Sequence, residues 1–196
     1  MNLEGYKIGW GITGSHCTFE ETFPQVKKLR ESGAEIYHVV SYAVNETDTR
    51  FGKAEEIKEK LRHHSGNKLI NSIVEAEPVG PSKLFDIYII APCTGNTLAK
   101  LSNGIVDTPV LMAAKAHLRN LKPLILAIAT NDGLGANARN IAAFLITKNI
   151  FLVPFGQDDP FNKPNSLVSK MDLLMPTILQ ALEGKQLQPL LLKDNK

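Results

Sequence analysis

Residues 87–97 of the chain read Ile-Tyr-Ile-Ile-Ala-Pro-Cys-Thr-Gly-Asn-Thr, an apolar run followed by a short polar turn. The run at residues 87–90 is typical of a strand buried on both faces, as the strands of parallel sheets are. Pro92 is expected to end this strand, because proline has no N–H to give to a neighbouring strand. Asn96 or Thr97 is placed to cap a following helix. The junction therefore predicts either an ordinary capped loop or a site for an anionic ligand.

Similar apolar runs occur on both sides of this segment and alternate with helical patterns. The other predicted strands are residues 6–10, 35–40, 123–129 and 150–153. The first predicted helix ends at about residue 32, and another begins at the turn at 96–97. Further helices are predicted over 53–64, 109–119, 137–148 and 168–182. Residues 69–74 fit either a strand or a helix. Strands that alternate with helices predict an α/β fold, a single doubly wound parallel sheet in a Rossmann-like three-layer sandwich.

Polar turns follow the predicted strands, at the edge of the sheet where ligands bind in such folds. They are residues 11–15, Ser41, residues 93–97, residues 130–131 and the long loop 155–166. The first turn, Gly11-Ile12-Thr13-Gly14-Ser15, has glycines and hydroxyls that would let a phosphate approach the backbone. It lacks the dinucleotide-binding pattern G-x-G-x-x-G, and no acidic residue closes the second strand. We expect the turns to converge on one crevice.

His16, Cys17 and Cys93 lie within or next to two of these turns. His16 fits a donor to a phosphate, a general acid or a plain loop histidine. The two thiols are expected to lie near each other, and we predict no catalysis from them, because a reactive cysteine needs a lowered pKa.

Length and composition bound the class of protein. The 196 residues suit one domain, which we place at 1–185, followed by a polar tail at 186–196. A net charge of +2, from 22 basic and 20 acidic residues spread along the chain, argues against nucleic-acid binding. No segment has the apolar length of a membrane span, and we predict no metal site. The 2 cysteines lie far apart in the sequence and favour a reduced, cytoplasmic compartment.

Taken together, the turns resemble those of a known family. Residues 11–15, Ser41 and the run Ala-Pro-Cys-Thr-Gly-Asn-Thr-Leu-Ala-Lys at 91–100 are similar to the flavoprotein family of homo-oligomeric flavin-containing cysteine decarboxylases and flavin prenyltransferases. That family has P-A-S-A-N-T or P-A-T-A-N-T where this chain has residues 92–97, and residues 103–107 continue the match. The resemblance implies bound FMN and a homo-oligomer, a trimer or a dodecamer.

Carried over by position, the resemblance also assigns ligand residues. Those implied for FMN are Gly11, Thr13, Gly14, Ser15, Ser41, Pro92, Thr94, Asn96 and Thr97. Those implied for the substrate are Asn96 and Asn131. The decarboxylases have a histidine shortly before the central strand, and residues 80–84 contain none. Their P-x-M-N-x-x-M-W motif keeps only Asn131 at residues 128–135, so the catalytic residues are left unassigned.

Residues 5–15 and 131–140 resemble one branch of the family, whose members act as the B subunit of a two-subunit oxidoreductase. The resemblance implies an A subunit with a nicotinamide-binding fold and a small dicarboxylate substrate. Arg139, Lys163 and Lys170 are candidate donors to such a dianion, although the two lysines fit a solvated surface equally well. Two alternatives stay open: a non-catalytic scaffold with a vestigial flavin crevice, and an FMN-dependent decarboxylase of a small thiol.

Overall fold

A computed structural model of the chain describes residues 3–65 and 69–193. The strands are β1 (Lys7–Ile12), β2 (Glu35–Val40), β3 (Ile87–Cys93), β4 (Leu124–Thr130), β5 (Ile150–Leu152), β6 (Phe155–Gly156) and β7 (Leu167–Ser169). The α-helices are α1 (Phe19–Glu31), α2 (Tyr42–Glu46), α3 (Ala54–Ser65), α4 (Ile73–Ala76), α5 (Gly95–Ser102), α6 (Pro109–Leu118), α7 (Ala138–Leu145) and α8 (Leu174–Leu182).

The parallel part of the sheet has the strand order β2-β1-β3-β4-β5. This order places β1 and β3 at the centre, with Ile8 of β1 opposite both Ile36 of β2 and Ile87 of β3. Helices connect the successive strands, because parallel neighbours need a crossover. The predicted α/β fold with a doubly wound sheet is confirmed.

The far end of β4 departs from the prediction of an entirely parallel sheet. Beyond Leu126, β4 pairs with the antiparallel strand β7 through Ala129 and Thr130, and β6 then pairs with β7. The Ile128 N–H donates to Ser169 Oγ at 2.8 Å. The predicted helix over 168–182 is therefore wrong at its start. The buried edge of β4 needs hydrogen-bond partners, and β7 supplies them. Strands as short as β6 and β7 produce no recognisable hydrophobic periodicity, so the sequence did not predict them.

Pro92 lies inside β3 and does not end it, contrary to the prediction. The pairing register between β3 and β4 shifts at this point, so the missing N–H of proline falls at an irregularity of the ladder. Two backbone carbonyls at this irregularity accept hydrogen bonds from side chains of β1 and of the loop after it. Trp10 Nε1–H donates to Ala91 O at 2.8 Å, and the Thr13 hydroxyl donates to Pro92 O at 2.7 Å.

Helices cover both faces of the sheet. On one face, buried side chains such as Trp10 and Ile125 belong to the same cluster as residues of α1 and α8. On the other face, Tyr88 packs with α6, and its hydroxyl donates to Val110 O at 3.2 Å. Gly11 belongs to this second face, since a Cβ there would lie 2.5 Å from Tyr88 Oη. Gly11 thus makes room for the tyrosine between the sheet and α6.

The first part of the predicted tail is held against the sheet. The Gln186 amide accepts from Leu152 N–H at 2.8 Å and donates to Leu152 O at 2.7 Å. Phe155 N–H donates to Leu190 O at 3.0 Å, and Leu192 N–H donates to Phe155 O at 2.9 Å. The end of the tail, residues 194–196, lies outside the described residues. Within residues 3–65 and 69–193, no helix combines the length and apolar character that crossing a membrane requires.

Candidate functional site

The turns after β1, β3 and β4 meet at the carboxyl edge of the sheet, where we predicted a crevice. Together with Phe51 and the β6–β7 loop they enclose an open crevice of about 660 Å³. The predicted ligand residues that line it are Gly14, Ser15, Thr94, Asn96 and Asn131. This is the edge at which open α/β sheets bind ligands.

Thr13 and Pro92, both predicted to contact the cofactor, join two loops of the crevice to each other. The Thr13 hydroxyl donates to Pro92 O at 2.7 Å and accepts from Thr94 N–H at 3.0 Å. Thr13 is only 1% exposed, so its hydroxyl is committed to these two partners. The pair therefore fixes the distance between the β1–α1 loop and the β3–α5 turn.

Thr94 is the cap of α5, whereas the sequence predicted Asn96 or Thr97. Its Oγ1 accepts from Thr97 N–H at 3.3 Å and lies 3.0 Å from Thr97 Oγ1. Thr97 is 6% exposed and faces this cap, not the crevice. Because the cap comes from Thr94, the exposed Asn96 side chain is left free to face a ligand, and it has no hydrogen bond within the described residues.

Ser41, which follows β2, lies beside the β1–α1 loop that contains Gly14. Ser41 N–H donates to Ile12 O at 3.0 Å, and a Cβ at Gly14 would lie 3.2 Å from Ala43 Cβ. Ser41 does not line the crevice, but its Oγ is buried and has no hydrogen-bond partner. A buried hydroxyl without a partner is costly, so this atom marks a place where a ligand acceptor would be favoured.

Sequence reasoning missed Asp132, which connects the two ends of the β4–α7 loop and lies beside α5. Its carboxylate accepts from Thr130 Oγ1 at 2.5 Å and from Asn137 Nδ2 at 2.8 and 2.9 Å. The Thr130 hydrogen bond, helped by Asn137, lowers the pKa of Asp132 below its ordinary value. A Cβ at Gly95 would lie 2.8 Å from Asp132 Oδ1, so the carboxylate sits beside the first residue of α5. The signal in the sequence, Asn-Asp-Gly at 131–133, resembled a plain turn.

Two further carboxylates, those of Glu21 and Asp158, line the crevice and were also missed. Burial raises the pKa of Asp158, but hydrogen bonds from Ser166 and Lys163 outweigh it, and the net shift is downward. Lys163 Nζ lies 3.2 Å from Asp158 Oδ2, so its charge is already paired. Of the other predicted anion donors, Arg139 and Lys170 line neighbouring hollows and not this crevice.

His16 lies at the crevice edge with a fixed ring orientation. Its Nδ1 is 3.1 Å from Gly14 O and donates to that carbonyl, which can only accept. Its Nε2 is buried and has no partner.

Cys17 is exposed and lines the crevice, whereas Cys93 is fully buried in β3, where burial raises the pKa of its thiol. Within the described part of the chain, no group of three or more His, Cys, Asp or Glu side chains is arranged to hold a metal ion.

Comparison with known proteins gives strong matches over the whole chain. The chain is 53% identical over 193 residues to the B subunit of dipicolinate synthase of Bacillus subtilis (strain 168), covering 98% of this chain and 96% of that protein. The crystal structure of the corresponding B subunit from Bacillus halodurans C matches with a TM-score of 0.91 and 47% identity, covering 99% of this chain and 100% of that one.

A more distant relative covers part of the chain. Dihydromethanopterin reductase (acceptor) of Methanocaldococcus jannaschii is 32% identical over 139 residues, which is 65% of this chain and 55% of that protein. The model of the Flavoprotein family matches residues 1–155, the part that contains β1 to β5 and the loops of the crevice between them. The chain therefore belongs to the Flavoprotein family.

Proposed function

We propose that this chain acts as the B subunit of a dipicolinate synthase. In this proposal it binds FMN and works with an A subunit to oxidise dihydrodipicolinate to dipicolinate for spore formation. The observation that carries the proposal is the 53% identity over 98% of the chain to a protein of that name. We further propose a cytoplasmic homo-oligomer, a trimer or a dodecamer.

The residues around the β1–α1 loop fit the phosphate end of FMN. Ser15 supplies a hydroxyl that lines the crevice, and Ser41 Oγ is a buried polar atom without a partner. A Cβ at Gly14 would press on Ala43, so a glycine keeps the backbone close to this corner. Gly14 and Ser15, which line the crevice, would hold the phosphate, and bound FMN would supply two-electron chemistry.

Charge disfavours binding of the phosphate next to α5. The N-terminus of α5 is the other obvious anion site, but the Asp132 carboxylate already lies beside Gly95, the first residue of that helix. A second anion there would meet a negative charge. The phosphate would therefore bind at the β1–α1 loop and not next to α5.

The amides of Asn96 and Asn131 line the crevice from two different loops and would donate to the carboxylates of a small substrate. The carboxylates of Asp132 and Asp158 line the same crevice and repel a dianion, so binding of the substrate would depend on the hydrogen bonds from these two amides. The paired Lys163 lies at the opposite wall and is less available to a dianion.

An activity assay with the two purified subunits tests the proposal. Dihydrodipicolinate and an oxidised nicotinamide cofactor, which accepts the two electrons as a hydride, are offered to the A subunit, to this chain, and to both together, each with and without FMN, and dipicolinate is measured. We expect product only from the two subunits together, and more of it with FMN. The A subunit alone giving the full rate, or the pair giving none, would contradict the proposal.

A non-catalytic scaffold is the second candidate. It is favoured by the three carboxylates of Glu21, Asp132 and Asp158 in the crevice, which disfavour anionic ligands. The same assay separates the two functions: a scaffold would raise the activity or stability of the A subunit equally with and without FMN.

A further inference from the structure

The connection between α2 and α3 places an aromatic ring at the crevice. Phe51 lines the crevice and is 49% exposed. It sits on a tight turn in which Thr49 and Gly52 exchange backbone hydrogen bonds at 3.0 and 3.1 Å, and Phe51 N–H donates to Thr49 Oγ1 at 3.2 Å. Gly52 has a φ of +142°, a conformation that favours glycine. The turn therefore holds the ring in a defined position.

Arg50 supports this ring. Its guanidinium carbon lies 4.8 Å from the centroid of the Phe51 ring, within the range of a cation–π contact. In the described part of the chain, no carboxylate forms an ion pair with Arg50. The guanidinium thus lies over the ring and adds positive charge near a crevice lined by carboxylates, while Phe51 as a residue stays exposed to solvent.

Most of the other side chains that line the crevice carry hydroxyl, amide or carboxylate groups, and none of them is a Phe, Tyr or Trp. Such groups bind the edges of a ligand, but they give a flat aromatic ring no face to stack on. We propose that Phe51, backed by Arg50, is the stacking platform for the planar heteroaromatic ring of the ligand in this crevice. The inference rests on the proposed function, because it assumes that the ligand contains such a ring.

Two rings share this chemistry, the isoalloxazine of FMN and the pyridine ring of dipicolinate. Equilibrium binding of each compound to the full chain distinguishes them. The variants are Phe51→Leu, which removes the aromatic face, Phe51→Trp, which restores one, and Phe161→Leu as a matched control. Phe161 is 95% exposed on the β6–β7 loop and does not line the crevice.

We expect Phe51→Leu to weaken binding of FMN, of dipicolinate, or of both by roughly 3- to 10-fold. Phe51→Trp is expected to keep wild-type affinity, and Phe161→Leu to change nothing. The compound that loses affinity identifies the stacked ring. Unchanged binding of both compounds to Phe51→Leu overturns the platform and leaves the proposed function standing. A wild-type chain that binds neither compound overturns both.

Discussion

The hydroxyl group of Thr13 connects two loops of the crevice through hydrogen bonds to Pro92 O and from Thr94 N–H. Thr13→Val keeps the shape of the side chain but leaves both buried partners unsatisfied. We expect a loss of about 1–3 kcal/mol in the free energy of unfolding, because a buried polar group without a partner costs this much. Urea-induced unfolding measures it.

Thr13→Ser is the matched control, since serine keeps the hydroxyl and loses only a methyl group. The serine variant should stay much closer to the wild type than the valine variant. If valine and serine destabilise the protein equally, the two hydrogen bonds do not carry the role assigned to Thr13.

For single residues, the sequence located several members of the crevice, but it did not predict the contacts that other assigned residues make. Gly14, Ser15 and Asn96 line the crevice as expected, but Gly11 packs against Tyr88 and Thr13 binds the backbone of Pro92. The partners of Thr13 are 79 residues or more away in the chain, so no local pattern could reveal them.

Among the elements, α5 and the β4–α7 loop are packed most closely around the site. A Cβ at Gly95 would contact Thr130 Oγ1, and would lie 2.6 Å from Asn137 Nδ2. Gly95→Ala must therefore push α5 away from the Asp132 hydrogen bonds. We expect a loss of about 1–3 kcal/mol in unfolding free energy, as for other overpacked sites, together with weaker ligand binding. Urea unfolding and ligand titration measure the two effects.

Gly135→Ala is the control within the same loop, because the nearest atom to a Cβ there is at 3.5 Å, an ordinary contact. This variant should be close to the wild type in stability. A Gly95→Ala protein as stable as Gly135→Ala would show that the helix and loop are not held together as tightly as described.

The elements that sequence reasoning found are those with strong patterns. The buried runs of β3 and β4 and the cap and first-turn proline of α6, Thr108 and Pro109, are present as predicted. The antiparallel strands β6 and β7 were missed, because their pairing depends on where β5 ends and not on their own residues.

For the molecule as a whole, the net charge of +2 hides an uneven distribution. The carboxylates of Glu21, Asp132 and Asp158 all line the crevice, together with the hydroxyl of Ser15. The alternation of strands and helices was enough to predict the crevice, but not these charges, which come together only when loops from distant parts of the chain meet.

The central proposal is that the crevice binds a flavin through its phosphate. The most direct test is to titrate the purified full chain with FMN and with riboflavin, which lacks the phosphate, and to follow the visible absorbance of bound flavin. We predict that FMN binds at least about tenfold more tightly than riboflavin, a difference of about 1.4 kcal/mol. A chain that takes up neither flavin, or both with equal affinity, would contradict the account.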